Sequence, residues 1–239
     1  MTEYIRLEVR RTLRDTGFVV FGIGMPVLMY LLFTNLGTNE AEWSTASMVG
    51  MAAYGALGAA LSVGTGVAED KSLGWLRQLR VTPMTPRQVV IGRALTGSVI
   101  VLPSIAAVLL AGALVNGVRM EAPWQWCAVV LALWLGALPF TLLGMGNGYR
   151  LTAQTTGVVN LACNLGLAVV GGLWFPAQLF PDWLRTLSSY TPTNRFAELG
   201  RTMTEGTAPG LAAIAVIGTW ALLFAAYAVV SYRRSARTA

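Results

Sequence analysis

Six stretches of the chain contain no Asp, Glu, Lys or Arg: residues 16–39, 43–68, 94–118, 122–149, 151–181 and 206–232. Each is longer than the roughly 20 residues that a helix rising about 1.5 Å per residue needs to cross a hydrocarbon layer about 30 Å thick. A charge at the centre of such a helix costs about 2.5–3.5 kcal/mol on insertion scales, which accounts for its absence from all six. Charged residues make up 12% of the 239, against roughly 25% in an ordinary soluble domain. The expected fold is all-α: one membrane domain over 1–239, with spans at about 17–36, 47–68, 94–115, 124–146, 155–175 and 209–231. The basic N-terminus ahead of an apolar run raises the question of a cleaved leader. Thr34-Asn35-Leu36-Gly37 is no small-x-small cleavage site, so the run is expected to be a retained first span.

Charge sets the expected orientation. The net charge is +6, and the basic residues lie between the apolar runs rather than in one patch, so they read as membrane flanks and not as a nucleic-acid footprint. Thirteen of the 17 basic residues fall on one set of flanks: Arg6, Arg10, Arg11, Arg14, Lys71, Arg77, Arg80, Arg87, Arg93, Arg150, Arg233, Arg234 and Arg237. The opposite flanks hold Arg119, Arg185, Arg195 and Arg201 among six acidic residues. The basic side is therefore expected in the cytoplasm, with both termini, and the acidic side outside.

Two connections are longer than simple turns. At 69–93, Trp75, Leu76 and Leu79 share one helical face with basic residues beside it, and Thr82-Pro83 ends the helix. This is an amphipathic helix, either resting on lipid headgroups or docking a partner. Between the fifth and sixth spans, Gly171-Gly172-Leu173-Trp174-Phe175-Pro176 and then Asp182-Trp183-Leu184 combine helix breakers with interface-seeking aromatics. Two forms fit: a segment that dips back into the membrane over 171–205, or a partly buried outer loop. Pro26, Pro103 and Pro139 lie inside spans, where they kink helices. Gly50, Gly58, Ser62 and Gly66 form a small-residue stripe on the second span, interrupted by Tyr54, and are expected to pack closely against another helix.

Several chemistries are excluded or disfavoured. The chain has no histidine, the commonest general base and metal ligand, so no catalytic residue and no metal site is expected. Cys127 and Cys163 sit in apolar runs as small interior residues. The single lysine, Lys71, precedes Ser72, but a phosphate-binding loop needs glycine where Asp70 and Thr65 stand, so no nucleotide-hydrolysing site is expected. Charge-free spans disfavour ion-coupled transport and intramembrane hydrolysis. The polar residues inside spans are neutral. Asn160 and Asn164 share a helix face, with Gln154 before them. Hydrogen bonding between helices and the lining of a substrate path are both open to them.

The run Asp70-Lys71-Ser72-Leu73-Gly74-Trp75-Leu76-Arg77-Gln78-Leu79-Arg80-Val81-Thr82-Pro83, and the later Gly172-Leu173-Trp174-Phe175-Pro176, Phe180-Pro181-Asp182-Trp183-Leu184 and Leu199-Gly200-Arg201, resemble the motifs of type-2 ATP-binding cassette (ABC) transporter permeases. With the six-span layout, the resemblance extends over nearly the whole chain. It implies a permease that dimerises with itself or a second permease and docks two separate ATPase subunits, which hold the ATP and magnesium. On this resemblance, Glu69, Asp70, Lys71, Gly74, Trp75, Leu76, Leu79, Thr82 and Pro83 couple to the ATPase. They belong to a cytoplasmic loop at 69–88, assisted by the amphipathic segment 2–15. Gly172, Trp174, Phe175 and Pro176 form the outer gate, and Gln154, Asn160 and Asn164 the path. Arg77 and Arg80 make the coupling helix more basic than the family pattern, which implies a cognate ATPase with an acidic groove. The resemblance and the uncharged interior together imply an exporter of hydrophobic or amphipathic, drug- or antibiotic-like compounds from the plasma membrane, with lipid or polysaccharide export and ion-coupled transport as alternatives.

Overall fold

One helix, α2 (Ala41–Ser72), is the axis around which the others are arranged. The computed structural model describes residues 14–36, 41–73, 90, 93–95, 97–175 and 179–238. Before α2 comes a π-helical turn, Phe18–Gly24, continuous with α1 (Met25–Leu36). After it come α3 (Val101–Leu114), α4 (Pro123–Gly136), α5 (Leu138–Arg150), α6 (Ala153–Val170), α7 (Asp182–Ser189), α8 (Pro192–Thr204) and α9 (Leu211–Thr238). Every described element is helical, as a lipid solvent requires of a chain that must satisfy its own backbone.

Among the described residues, five helical stretches are long and apolar enough to cross a membrane: Phe18–Asn35, Glu42–Ser72, Pro123–Arg150, Ala153–Val170 and Leu211–Ser235. The protein is thus a multi-pass membrane protein. The expected span at 94–115 is represented by the shorter α3, with helical backbone also at 93–95 and 97–98. Apolar side chains such as Leu28, Leu32, Leu110, Leu222 and Leu223 project outward, where a bilayer is their natural solvent.

The in-span prolines act locally. Pro26 has no N–H to give the Gly22 carbonyl, and Ser104 Oγ donates to that carbonyl instead (2.7 Å). Pro139 splits the fourth expected span at Ala137 into α4 and α5. Pro103 lies in the first turn of α3, where a missing donor costs nothing.

Of the expected stripe, Gly50 meets the Leu173 carbonyl and Gly58 lies against the Asn164 amide of α6, but the tightest helix-to-helix packing of α2 uses glycines outside it. A Cβ on Gly64 of α2 would run into the Gly144 carbonyl of α5, one on Gly144 into Leu61, and one on Gly148 into the Gly64 carbonyl. Gly144 and Gly148 are one helical turn apart, so the two backbones touch over a full turn. A Cβ on Gly66 would meet nothing within 4 Å, and Gly58, Ser62 and Gly66 line a cavity instead. Cys127, expected inside, lies exposed on α4, and Cys163 is half-buried on α6; both are free thiols.

Candidate functional site

Between the π-helical turn, α2, residues 93, 97 and 100, and α6 lies a cavity of about 720 Å³. Its walls are largely apolar, from Phe18, Phe21, Ile100, Leu161 and Leu165, with Ser62, Thr65, Asn160 and Asn164 as neutral polar groups. Asp15, Glu69, Asp70 and Arg93 collect at one end, and Tyr54 stands at the other. Glycines on α2 and α6 keep the cavity open: Gly66 and Gly157 have clear space where a side chain would be.

Asn160 and Asn164 share a helix face but differ in role. Asn160 is buried and saturated: Asn147 Nδ2 donates to its Oδ1 (2.8 Å), and its Nδ2 donates to the Leu61 carbonyl (2.8 Å). Tyr227 Oη completes the chain by donating to Asn147 Oδ1 (2.9 Å). One hydrogen-bonded series therefore ties α9, α5, α6 and α2 together inside the bundle. Asn164, one turn further along, has a buried Oδ1 without a partner and borders the cavity opposite Gly58. An unpaired buried acceptor costs about 1–3 kcal/mol, a cost that Asn160 does not carry. Gln154 is exposed near the start of α6, away from the cavity.

At the charged end, Asp70 and Arg93 form an ion pair. Lys71, two residues from the cavity-lining Glu69, turns toward α5. Its Nζ donates to the carbonyls of Gly148 (3.1 Å), Tyr149 (3.1 Å) and Leu151 (2.6 Å), the acceptors left over where α5 ends. Tyr149 meets the Tyr232 ring edge-on at 5.2 Å. The basic ends of α2, α5 and α9 therefore lie at one end of the molecule. Gly74, Trp75, Leu76, Leu79, Thr82 and Pro83 fall outside the described residues, as do Pro176 and the segment 2–13.

The opposite end is closed by the chain leaving α6. Gly172 has φ +69°, a left-handed conformation that glycine adopts without strain, and it turns the chain back over α2. The Leu173 carbonyl rests on Gly50. Trp174 meets Tyr54 edge-on (centroids 5.4 Å apart), and Phe175 meets Phe33 likewise (5.4 Å). Tyr54 lines the large cavity, whereas Trp174 lines a small recess of about 20 Å³ with Trp43, Gly50 and Arg201. The Tyr54–Trp174 contact is thus a partition between the two spaces. Burial lowers the pKa of Arg201, opposed by Glu198 and Glu205, and the guanidinium stays charged.

Beyond this turn, α8 starts against the end of α6. Thr193 Oγ1 donates to the Leu167 carbonyl (2.8 Å) and Asn194 Nδ2 to that of Gly171 (3.3 Å), at the end of α6. Trp220 of α9 donates to the Tyr190 carbonyl (3.0 Å). Its far end meets the start of α4, where Gln125 Nε2 donates to the Thr204 carbonyl (3.1 Å), and Phe196 packs on Phe140. Helix α8 therefore runs alongside α4 within the bundle rather than across its end.

Arg93, Asn147, Tyr227 and Tyr54 were not singled out as site residues by sequence. The four-residue spacing of Gly144 and Gly148 was the available signal for the α2–α5 contact that brings Asn147 to Asn160.

Residues 27–233 match the model of a family described as ABC-2 family transporter protein. A Bacillus subtilis (strain 168) protein named as a transport permease, YvfS, is 27% identical over 222 residues, covering 91% of this chain and 90% of its own. The chain therefore belongs to the ABC-2 transporter family, as a membrane permease component whose matched region carries no ATPase domain.

Proposed function

We propose that this permease is the membrane subunit of an ATP-driven exporter for hydrophobic or amphipathic, drug- or antibiotic-like compounds. The observation that carries this reading is the cavity: about 720 Å³ of mostly apolar wall, charged at one end and offering an unpaired amide at Asn164. Such walls favour an apolar body with a polar group and offer little to a sugar or polyanion. A permease of this family works with ATPase subunits, and here two of them, holding ATP and magnesium, dock at the basic end, which faces the cytoplasm. The docking surface is the segment from Gly74 to Pro83, together with 2–15. A second permease copy completes the path along α2 and α6.

In this reading α3, with residues 93–100, makes the sixth crossing. The stretch from Gly171 to Glu205 is a re-entrant gate on the outer side; the bond from Trp220, well inside α9, to the Tyr190 carbonyl supports it. The Tyr54–Trp174 partition is the closed gate, opened when ATP binding moves α2 and α6 apart. The test is uptake of a lipophilic fluorescent dye panel into inside-out vesicles carrying the permease and its ATPase. ATP-dependent uptake that a non-hydrolysable analogue abolishes supports the proposal; equal uptake with both nucleotides rejects it.

A further inference from the structure

The resemblance assigns Glu69, Asp70 and Lys71 to ATPase contact as one group, but the described contacts divide them. Glu69 is exposed at the last turn of α2. Asp70 is held by Arg93 within the chain. The chain's single lysine lies across the end of a neighbouring helix, with all three of its ammonium donors used on carbonyls at 2.6–3.1 Å. A lysine bonded in this way has no donor left for a partner protein.

The acceptors indicate what the contact does. Gly148 and Tyr149 belong to the last turn of α5, and Leu151 is in the two-residue link to α6. Thr152 then caps α6, its Oγ1 accepting from Thr155 N (3.4 Å). The Lys71 ammonium therefore holds the hinge between α5 and α6, where a cation also complements the negative end of the α5 dipole. Just below it, Gly64 and Gly148 bring the backbones of α2 and α5 into contact with no side chain between them. A push on the residues following Ser72 reaches this hinge through one short ionic contact and a rigid backbone contact.

We propose that Lys71 is a positioning residue for energy coupling: it clips the end of α2 to the α5–α6 hinge, so that displacement of the segment after Ser72 swings α6 and the cavity wall it carries. This rests on the ATP-driven reading above and adds which residue passes the motion on. Glu69 is left as the residue of the three free to face a partner subunit.

The experiment reports on cavity geometry and needs no transported compound. In the complex with its ATPase, with Cys127 and Cys163 replaced by serine, Gly157→Cys places a thiol in the cavity wall, and its maleimide-labelling rate is measured with and without ATP and vanadate. With Lys71 present, nucleotide trapping is expected to change the rate at least threefold. Lys71→Met should retain bound ATPase and ATP hydrolysis within twofold while the labelling rate no longer responds to nucleotide. Lys71→Arg should restore the response, because a cation again meets the carbonyls. Lys71→Gln, which keeps two N–H donors, should give a partial response, and it carries the test should the methionine variant not accumulate in membranes. Loss of the ATPase from Lys71→Met on purification would make Lys71 a docking residue and overturn the inference. A full nucleotide response in Lys71→Met and Lys71→Gln would overturn it too, with ATP-driven transport left standing. A parent protein that shows no nucleotide response overturns the energy-coupling reading and this inference together.

Discussion

At the end of α2 that carries Lys71, the helix is held by charge: an ion pair to Arg93 and three ammonium-to-carbonyl bonds to the α5–α6 hinge. At the end that carries Gly50 and Tyr54, it is held by a carbonyl resting on a glycine and by ring edges. The two chemistries transmit motion differently. Ammonium-to-carbonyl bonds are short, directional and stronger than neutral ones. Aromatic edge contacts contribute about 0.5–1.5 kcal/mol beyond area burial and separate without leaving a charge unpaired. A helix tied firmly at one end and lightly at the other moves with its tied end and opens at the other. On the proposed reading, that is the behaviour wanted of a helix between a motor and a gate.

The sharpest way to break this contrast is at the tied end. Gly144→Leu forces a side chain into the Leu61 backbone, where neither helix can yield. A loss on the order of 3 kcal/mol is expected, seen as a steep fall in the melting temperature of the detergent-purified protein or as failure to accumulate. A variant as stable as the parent would show that α2 and α5 are not in backbone contact.

Midway, Asn160→Leu removes the link that Asn147 and the Leu61 carbonyl share. Hydrogen bonds between membrane helices contribute about 0.6–2 kcal/mol, so thermal unfolding should fall by that amount. Tyr227→Phe, which removes the donor at the other end of the series, should have a smaller effect that does not add to it. Full additivity would mean that the series does not act as a unit.

At the lightly tied end, Trp174→Ala should lose the ring-edge contact, about 1 kcal/mol beyond the area the indole buries, and raise nucleotide-independent dye leakage through reconstituted vesicles. An unchanged leak would remove the Tyr54–Trp174 contact as a seal. The smallest effect belongs to Gln154→Ala, which changes an exposed side chain away from the cavity. Stability should stay within about 0.5 kcal/mol, and dye transport should match the parent; a loss of transport would return Gln154 to the path.

Lipid explains why so much was legible in the amino-acid order. A charge inside a membrane is so costly that charge-free runs mark spans almost without regard to what packs against them, and Gly172, with its positive φ, shows in the sequence as a break after α6. The limits appear at particular residues. Residues 94–118 are as free of charge as any span, but the regular helix of α3 begins only at Val101. The stripe of Gly58, Ser62 and Gly66 has the spacing of a packing face, and so does the pair Gly144 and Gly148. Only the position of neighbouring backbones decides that the first lines a cavity and the second forms a contact.

By itself, then, the sequence determined a helical membrane protein, the position of its breaks and the polarity of its two ends. These depend on the transfer of single residues between water and lipid, a property each residue carries with it. Tertiary structure alone decided that Asn160 is spent on neighbouring helices while Asn164 is not, and that the lysine beside a resemblance-assigned docking segment grips its own chain. Those outcomes depend on which carbonyls come within about 3 Å of a donor, and residues some 80 apart in the chain, such as Lys71 and Leu151, meet only when the helices pack.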